Sequence, residues 1–111
     1  MKKIAIPVTH DLLDPHFGHC KEFHMFEVED QTIIREYKHP APPHEPGYLP
    51  KWLHQHQVSD VIAGGMGQRA IALFLENNIN VFVGAPVNPP ASVVKNFLNG
   101  NLVLRENYCN H

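Results

Sequence analysis

Asp60-Val61-Ile62-Ala63-Gly64-Gly65-Met66-Gly67-Gln68-Arg69-Ala70-Ile71-Ala72-Leu73-Phe74-Leu75-Glu76 is the stretch that decides the fold. Asp60 to Ala63 is a short apolar run of buried-strand type, and it breaks at Gly64-Gly65-Met66-Gly67. Beyond the break, Ala70, Ile71, Phe74 and Leu75 recur at helical spacing, which predicts a helix over Gln68 to Glu76. Ile79 to Val83 is the next apolar strand, closed by Gly84-Ala85-Pro86. Two strands joined through a helix form a right-handed crossover and run parallel.

Upstream, Ile4 to Val8 reads as a strand, and Pro7, which has no N–H, implies incomplete pairing on one side near its end. Thr9 to Glu22 is irregular, with Asp14-Pro15 and Gly18 as turn signals. Phe23 to Val28 and Thr32 to Tyr37 are strands joined by the hairpin-length Glu29-Asp30-Gln31. Lys38 to Gly47, with its four prolines, is expected as a long irregular loop and is a functional suspect on length alone. Tyr48 to Gln57 reads as a helix with Pro50 in its first turn. Downstream, Pro89-Pro90 opens a helix over Ala91 to Leu98 that Gly100 ends, and Leu102 to Leu104 is expected to add an edge strand. The order β-β-β-α-β-α-β-α describes an α/β protein with a mixed sheet, the second strand antiparallel to the first and third.

The 111 residues fit one domain, 1–111. With 43% hydrophobic and 18% charged residues the composition is that of an ordinary globular protein. A net charge of -2 and no Lys/Arg run give no reason to expect nucleic acid. Neither an apolar run of about 18 residues nor a signal-peptide layout appears, so no membrane partner and a cytoplasmic location are expected. Two cysteines, Cys20 and Cys109, suggest thiols or ligands rather than a disulfide framework.

Nine histidines stand out, because imidazole is the commonest metal ligand. Strand direction sorts them. The loop after the first strand, the start of the second, the end of the third and the Gly64–Gly67 turn all reach the carboxyl edge of the parallel strands, where open α/β sheets bind ligands. That gathers His16, His19, Cys20, His24, His39 and His44 as candidate metal or cluster ligands. His54 and His56 lie about 200° apart on the crossover helix and are set aside. His10 lacks support, and Cys109 and His111 sit at a terminus where disorder is the default. His16, His19 and Cys20, at i, i+3 and i+4, would share one face of a helical turn, and their N and S donors suit zinc, iron–sulfur or copper chemistry. The usual zinc signatures, CxxC and HExxH, are absent.

Gly65-x-Gly67-x-x-Ala70 matches a dinucleotide-binding pattern, but no second mononucleotide half follows. About 20 residues on, where an acidic residue should hold the ribose, the chain has Ala85. What remains is a helix start able to face an anion through Gly64, Gly65, Met66 and Gly67, with Arg69 nearby. Ser59 and Ser92 have no evident base partner and Asp11, Asp14 and Asp60 fall on separate segments, so the chain reads as a binding protein, not an enzyme.

Met1-Lys2-Lys3-Ile4-Ala5-Ile6-Pro7, then His16-Phe17-Gly18, His44-Glu45-Pro46-Gly47 and Ala63-Gly64-Gly65-Met66-Gly67-Gln68-Arg69-Ala70, together resemble the dinitrogenase iron–molybdenum cofactor biosynthesis family. These are small cluster-binding proteins similar to NifX and to the C-terminal domain of NifB. The resemblance runs over nearly the whole chain. It implies a ribonuclease-H-like three-layer fold with a mixed, mainly parallel five-stranded sheet. It also implies a non-catalytic carrier for a metal–sulfur cluster or its precursor, iron–sulfur or molybdenum-containing, exchanged with donor and acceptor proteins by a monomer or homodimer. His19, Cys20, His24, His39 and His44 are not uniformly part of the family pattern. They leave open a mononuclear zinc or iron site built from His16, Cys20, His39 and His44, and, less favoured, a small phosphoester hydrolase using the glycine turn.

Overall fold

The computed structural model describes residues 2–43, 45 and 47–107, with the backbone alone at His19. Its elements in chain order are β1 Lys2–Thr9, β2 Leu12–Leu13, a 3-10 turn at Phe17–His19, β3 Glu22–Glu29, β4 Thr32–Pro40, α1 Tyr48–Gln55, β5 Asp60–Ile62, α2 Gln68–Glu76, β6 Asn80–Phe82 and α3 Pro90–Leu98. The sheet runs β4-β3-β1-β5-β6, with β2 paired to β1 off that path. β5 is parallel to both β1 and β6, while β3 is antiparallel to both β1 and β4. Two antiparallel steps through β3 return β4 to the direction of β1, so four of the five strands on the path run the same way. The described residues form a mixed α/β fold with three α-helices.

Pro7 explains a change of partner along β1. β5 pairs with β1 at Ile4 and Ala5, whereas β2 pairs with it at Val8 and Thr9. Pro7 stands in between, where its missing N–H costs no ladder bond, and its carbonyl accepts the Asp14 N–H at 2.8 Å. Strand alternation divides the core. Ala5, Phe23 and Met25 pack on one face against Leu49, Trp52 and Leu53 of α1 and Phe74 of α2. Ile4, Ile6, Val8, Phe26 and Val28 pack on the other against Val93 and Val94 of α3. Each fully buried Phe contributes about 1.5–3 kcal/mol of transfer free energy.

Three segments differ from expectation. Leu12–Leu13, expected as part of an irregular stretch, form β2 against β1. Lys38 to Pro40, expected as loop, continue β4, where His39 pairs with Phe23 and Pro40 with Glu22. β4 is an edge strand, so Pro40 interrupts nothing on its outer side. Leu102 to Leu104 form no strand. Instead residues 101–107 lie as a strap over the carboxyl edge, where the Arg105 N–H donates to the Gly84 carbonyl at 2.9 Å. Gly84 has φ +87°, and a Cβ there would run into the Arg105 backbone, so only glycine allows this approach.

Candidate functional site

The candidate site lies where β1 and β5 end, and Asp14 organises its first wall. Its carboxylate, 8% exposed, accepts the Thr9 hydroxyl at 2.7 Å and the His16 backbone N–H at 2.8 Å. This Asx-type turn sets the chain up for the 3-10 turn that follows. Phe17 then turns inward, edge-on to Phe74 with ring centroids 5.3 Å apart and tilted against Phe23 at 5.9 Å. Its backbone N–H donates to the Gly65 carbonyl at 3.1 Å, which ties the His16-Phe17-Gly18 segment to the glycine turn.

Between these two loops is a cavity of about 280 Å³ lined by His16, Phe17, Gly18, Gly65, Met66, Gly67 and Ala70. A second, of about 360 Å³, shares Phe17, Gly18 and Ala70 with it and extends past Glu45 and Gly47 to Leu49, Pro50 and Leu73. α2 begins at the cavity with no side-chain cap and no acidic residue in its first turn, which leaves its leading N–H groups oriented as anion donors. Arg69 is exposed on that first turn. Not every amide of the glycine turn is available, contrary to expectation. The Met66 N–H donates to Asn107 Oδ1 at 2.9 Å, and Asn107 Nδ2 donates back to the Met66 carbonyl at 2.7 Å. Nothing in the tail's composition signals this clamp. Asp14, read from sequence as half of a turn signal and as an isolated carboxylate, is legible afterwards as the Asx residue preceding His16.

Among the described residues the expected ligands do not assemble. His16 is exposed and lines the cavity. Cys20 is 3% exposed in the apolar core between α1, α2 and the sheet, and its thiol is pushed up to about 12, first by burial and then by Asp14. It is no source of thiolate at neutral pH. His24 lies on the opposite face of the sheet, stacked on Phe26 at 4.5 Å, with Nε2 3.7 Å from Glu36. Burial holds its imidazolium below the ordinary range, against the opposing pull of Glu36. His39, on β4 rather than in a loop, faces α1, with its ring centroid 4.9 Å from both Trp52 and His56. The helix position that set His56 aside therefore misjudges it, because the edge strand reaches out to meet it. His44, Cys109 and His111 lie outside the described residues, as does the side chain of His19. Among the described residues no group of three His, Cys, Asp or Glu side chains could hold a metal ion, so His16, Cys20 and His39 do not form the mononuclear site. No helix among them is long and apolar enough to cross a membrane.

Known proteins share this architecture. The uncharacterized protein MJ0580 of Methanocaldococcus jannaschii is 30% identical over 107 residues, covering 92% of this chain and 90% of its own. The crystal structure of PH0822 superposes with a TM-score of 0.86 at 28% identity, covering 92% of this chain and 93% of that one. The apo form of the orange protein from Desulfovibrio gigas superposes with a TM-score of 0.74 at 20% identity, covering 96% and 95%, a likeness of fold alone. The profile of the dinitrogenase iron-molybdenum cofactor family matches residues 1–100. The chain belongs to the dinitrogenase iron-molybdenum cofactor family.

Proposed function

We propose that this protein is a non-catalytic cytoplasmic carrier that receives a metal–sulfur cluster or cluster precursor, iron–sulfur or molybdenum-containing, in the cavity between His16-Phe17-Gly18 and Gly65-Met66-Gly67. A donor protein loads it and an acceptor protein unloads it. Family membership supports the cargo class, and the ribonuclease-H-like arrangement implied by the sequence resemblance belongs to the same reading.

The observation that carries the placement concerns two glycines. Gly18 and Gly67 both line the cavity. Neither has a positive φ, and an added Cβ would meet nothing within 4 Å at either position. The fold gives no internal reason for glycine at these two places, and a cargo approaching the backbone closely supplies one. The chemistry of the walls fits an anionic sulfide cluster. His16 offers one imidazole ligand, the start of α2 offers N–H donors, and Phe17, Met66, Leu49 and Leu73 form an apolar enclosure. A cargo held by one side-chain ligand and many weak contacts is one that an acceptor with more thiolates can take, which a carrier requires.

The test is anaerobic reconstitution with iron or molybdate and sulfide, followed by desalting and elemental and labile-sulfide analysis. Wild-type protein is expected to retain metal and sulfide together. The double variant Gly18→Ala/Gly67→Ala is expected to melt like wild type in its apo form and to retain little of either, and His16→Ala to retain less than wild type. Wild-type protein that emerges free of metal and sulfide sinks the proposal. So does a double variant that loads fully.

A further inference from the structure

We propose that His39 and His56 form a two-imidazole site for a borderline divalent cation such as Zn²⁺, Ni²⁺ or Cu²⁺, separate from the cluster cavity. The two residues come from the outer end of β4 and from the C-cap of α1, and their ring centroids lie 4.9 Å apart at an interplanar angle of 71°. Metal–imidazole bonds of roughly 2.0–2.1 Å at near-tetrahedral angles place two ligating rings about 4.5–5.5 Å apart, centroid to centroid. The separation of this pair falls within that range. Nitrogen donors of this kind favour late first-row divalent ions over Mg²⁺ or Ca²⁺.

Local contacts preorganise both rings. His39 Nδ1 lies 3.0 Å from the Pro40 carbonyl. A carbonyl can only accept, so this contact suits the Nδ1–H tautomer, in which Nε2 is the ring nitrogen that can meet a metal, the second-shell arrangement common to metal-bound histidines. Trp52, itself 7% exposed, packs against both rings, 4.9 Å from His39 and 4.4 Å from His56. The His56 carbonyl accepts a hydrogen bond from Lys3 Nζ at 2.9 Å, which fixes the helix end that bears the ring. The Lys3 ammonium is also 3.9 Å from the Glu27 carboxylate, which offsets its charge near the site. Both histidines are partly exposed, and solvent completes the coordination.

The chain has a single tryptophan, and it touches both proposed ligands, so the fluorescence of Trp52 reports directly on this site. Apo protein is titrated with Ni²⁺ or Cu²⁺ alone, with Zn²⁺ as a non-quenching competitor. Saturable quenching that Zn²⁺ reverses is expected in wild type. His39→Gln and His56→Gln should each shift the midpoint by roughly a hundredfold, because the second imidazole acts at high effective concentration once the first has bound. His54→Ala, whose ring Nδ1 contacts the Asn77 carbonyl instead, should leave it unchanged. A second readout, the Zn²⁺-induced shift of the His39 Nε2 resonance in ¹⁵N spectra, holds independently of variant stability. Quenching with an unchanged midpoint in either Gln variant, or quenching that follows His16→Ala instead, overturns the proposal. An unmoved Nε2 resonance at saturating Zn²⁺ does so as well.

Discussion

Substituting Gly84→Ala tests how the C-terminal strap holds the glycine turn. Gly84 has φ +87°, and a β-carbon there meets the Arg105 backbone. The left-handed conformation alone costs a non-glycine residue about 1–2 kcal/mol. The collision does not add its full repulsion, since residues 101–107 can peel away. The further cost is then bounded by what the strap contributes: the Arg105–Gly84 bond at 2.9 Å and the two Asn107–Met66 bonds at 2.7 and 2.9 Å. At about 0.5–1.5 kcal/mol net for each bond, less the chain entropy regained, the expected total is about 2–4 kcal/mol. An unfolding entropy of roughly 2.1 cal/mol/K per residue over 111 residues converts that to a fall in Tm of about 9–17 °C. Thermal melting by circular dichroism reads the fall, and faster tryptic cleavage after Arg105 reads the release of the strap. A double-mutant cycle makes the reasoning strict. Asn107→Ala should cost about 1–3 kcal/mol in wild type and under about 0.5 kcal/mol in the Gly84→Ala background, whose strap is already undocked. Full additivity, or a melting point within about 3 °C of wild type with unchanged proteolysis, would refute the account.

Cys20 should behave as a core residue. In a Cys109→Ser background the folded protein is expected to resist iodoacetamide near neutral pH and the unfolded chain to react, and rapid labelling of the folded form would contradict its burial. Cys20→Ala should load cluster like wild type, whereas Cys20→Ser should cost about 1–3 kcal/mol by placing a hydroxyl in the apolar core; loss of loading in a well-folded Cys20→Ala protein would return the thiol to the ligand set. His24 predicts an acid-side loss of stability. Its imidazolium is disfavoured in the fold, so the unfolded chain takes up the proton first, near the ordinary value of 6.5. Stability should fall as pH drops below that value, until the folded imidazole also protonates. His24 Nδ1 is buried with no hydrogen-bond partner among the described residues. His24→Phe, keeping a ring stacked on Phe26, should therefore gain about 1 kcal/mol at neutral pH and flatten the profile in urea titrations. An unchanged slope would remove His24 from the explanation.

Much of the fold is legible as local periodicity. The helix over Gln68–Glu76 is found at its predicted bounds, and β1, β3, β5 and β6 lie within one or two residues of their expected ends. Hydrophobic spacing is imposed by the immediate chain and survives any tertiary arrangement that buries it. Strand direction likewise brings the His16-Phe17-Gly18 and Gly65-Met66-Gly67 segments to one edge, because crossover handedness is close to invariant. The two-residue β2 carries too little pattern to be seen, and β4 outruns its expected end because an edge strand tolerates Pro40.

Which side chains converge was settled by tertiary packing. Register parity is the reason for His24 and His39: they are opposed to Lys38 and Phe23 respectively, so the sheet itself separates them, His24 toward α3 and His39 toward α1. Cys20 follows His19 by one residue yet packs into the core with Phe17, because the short 3-10 turn ends there and the chain turns inward. The Asn107 clamp and the His39–His56 pair join residues 41 and 17 positions apart. No spacing rule encodes such contacts, since they depend on where a strap crosses a sheet edge and how far an edge strand extends. Periodicity and chain direction suffice for the architecture and for the edge that carries the candidate site; the occupants of that edge were fixed by pleat parity and long-range packing.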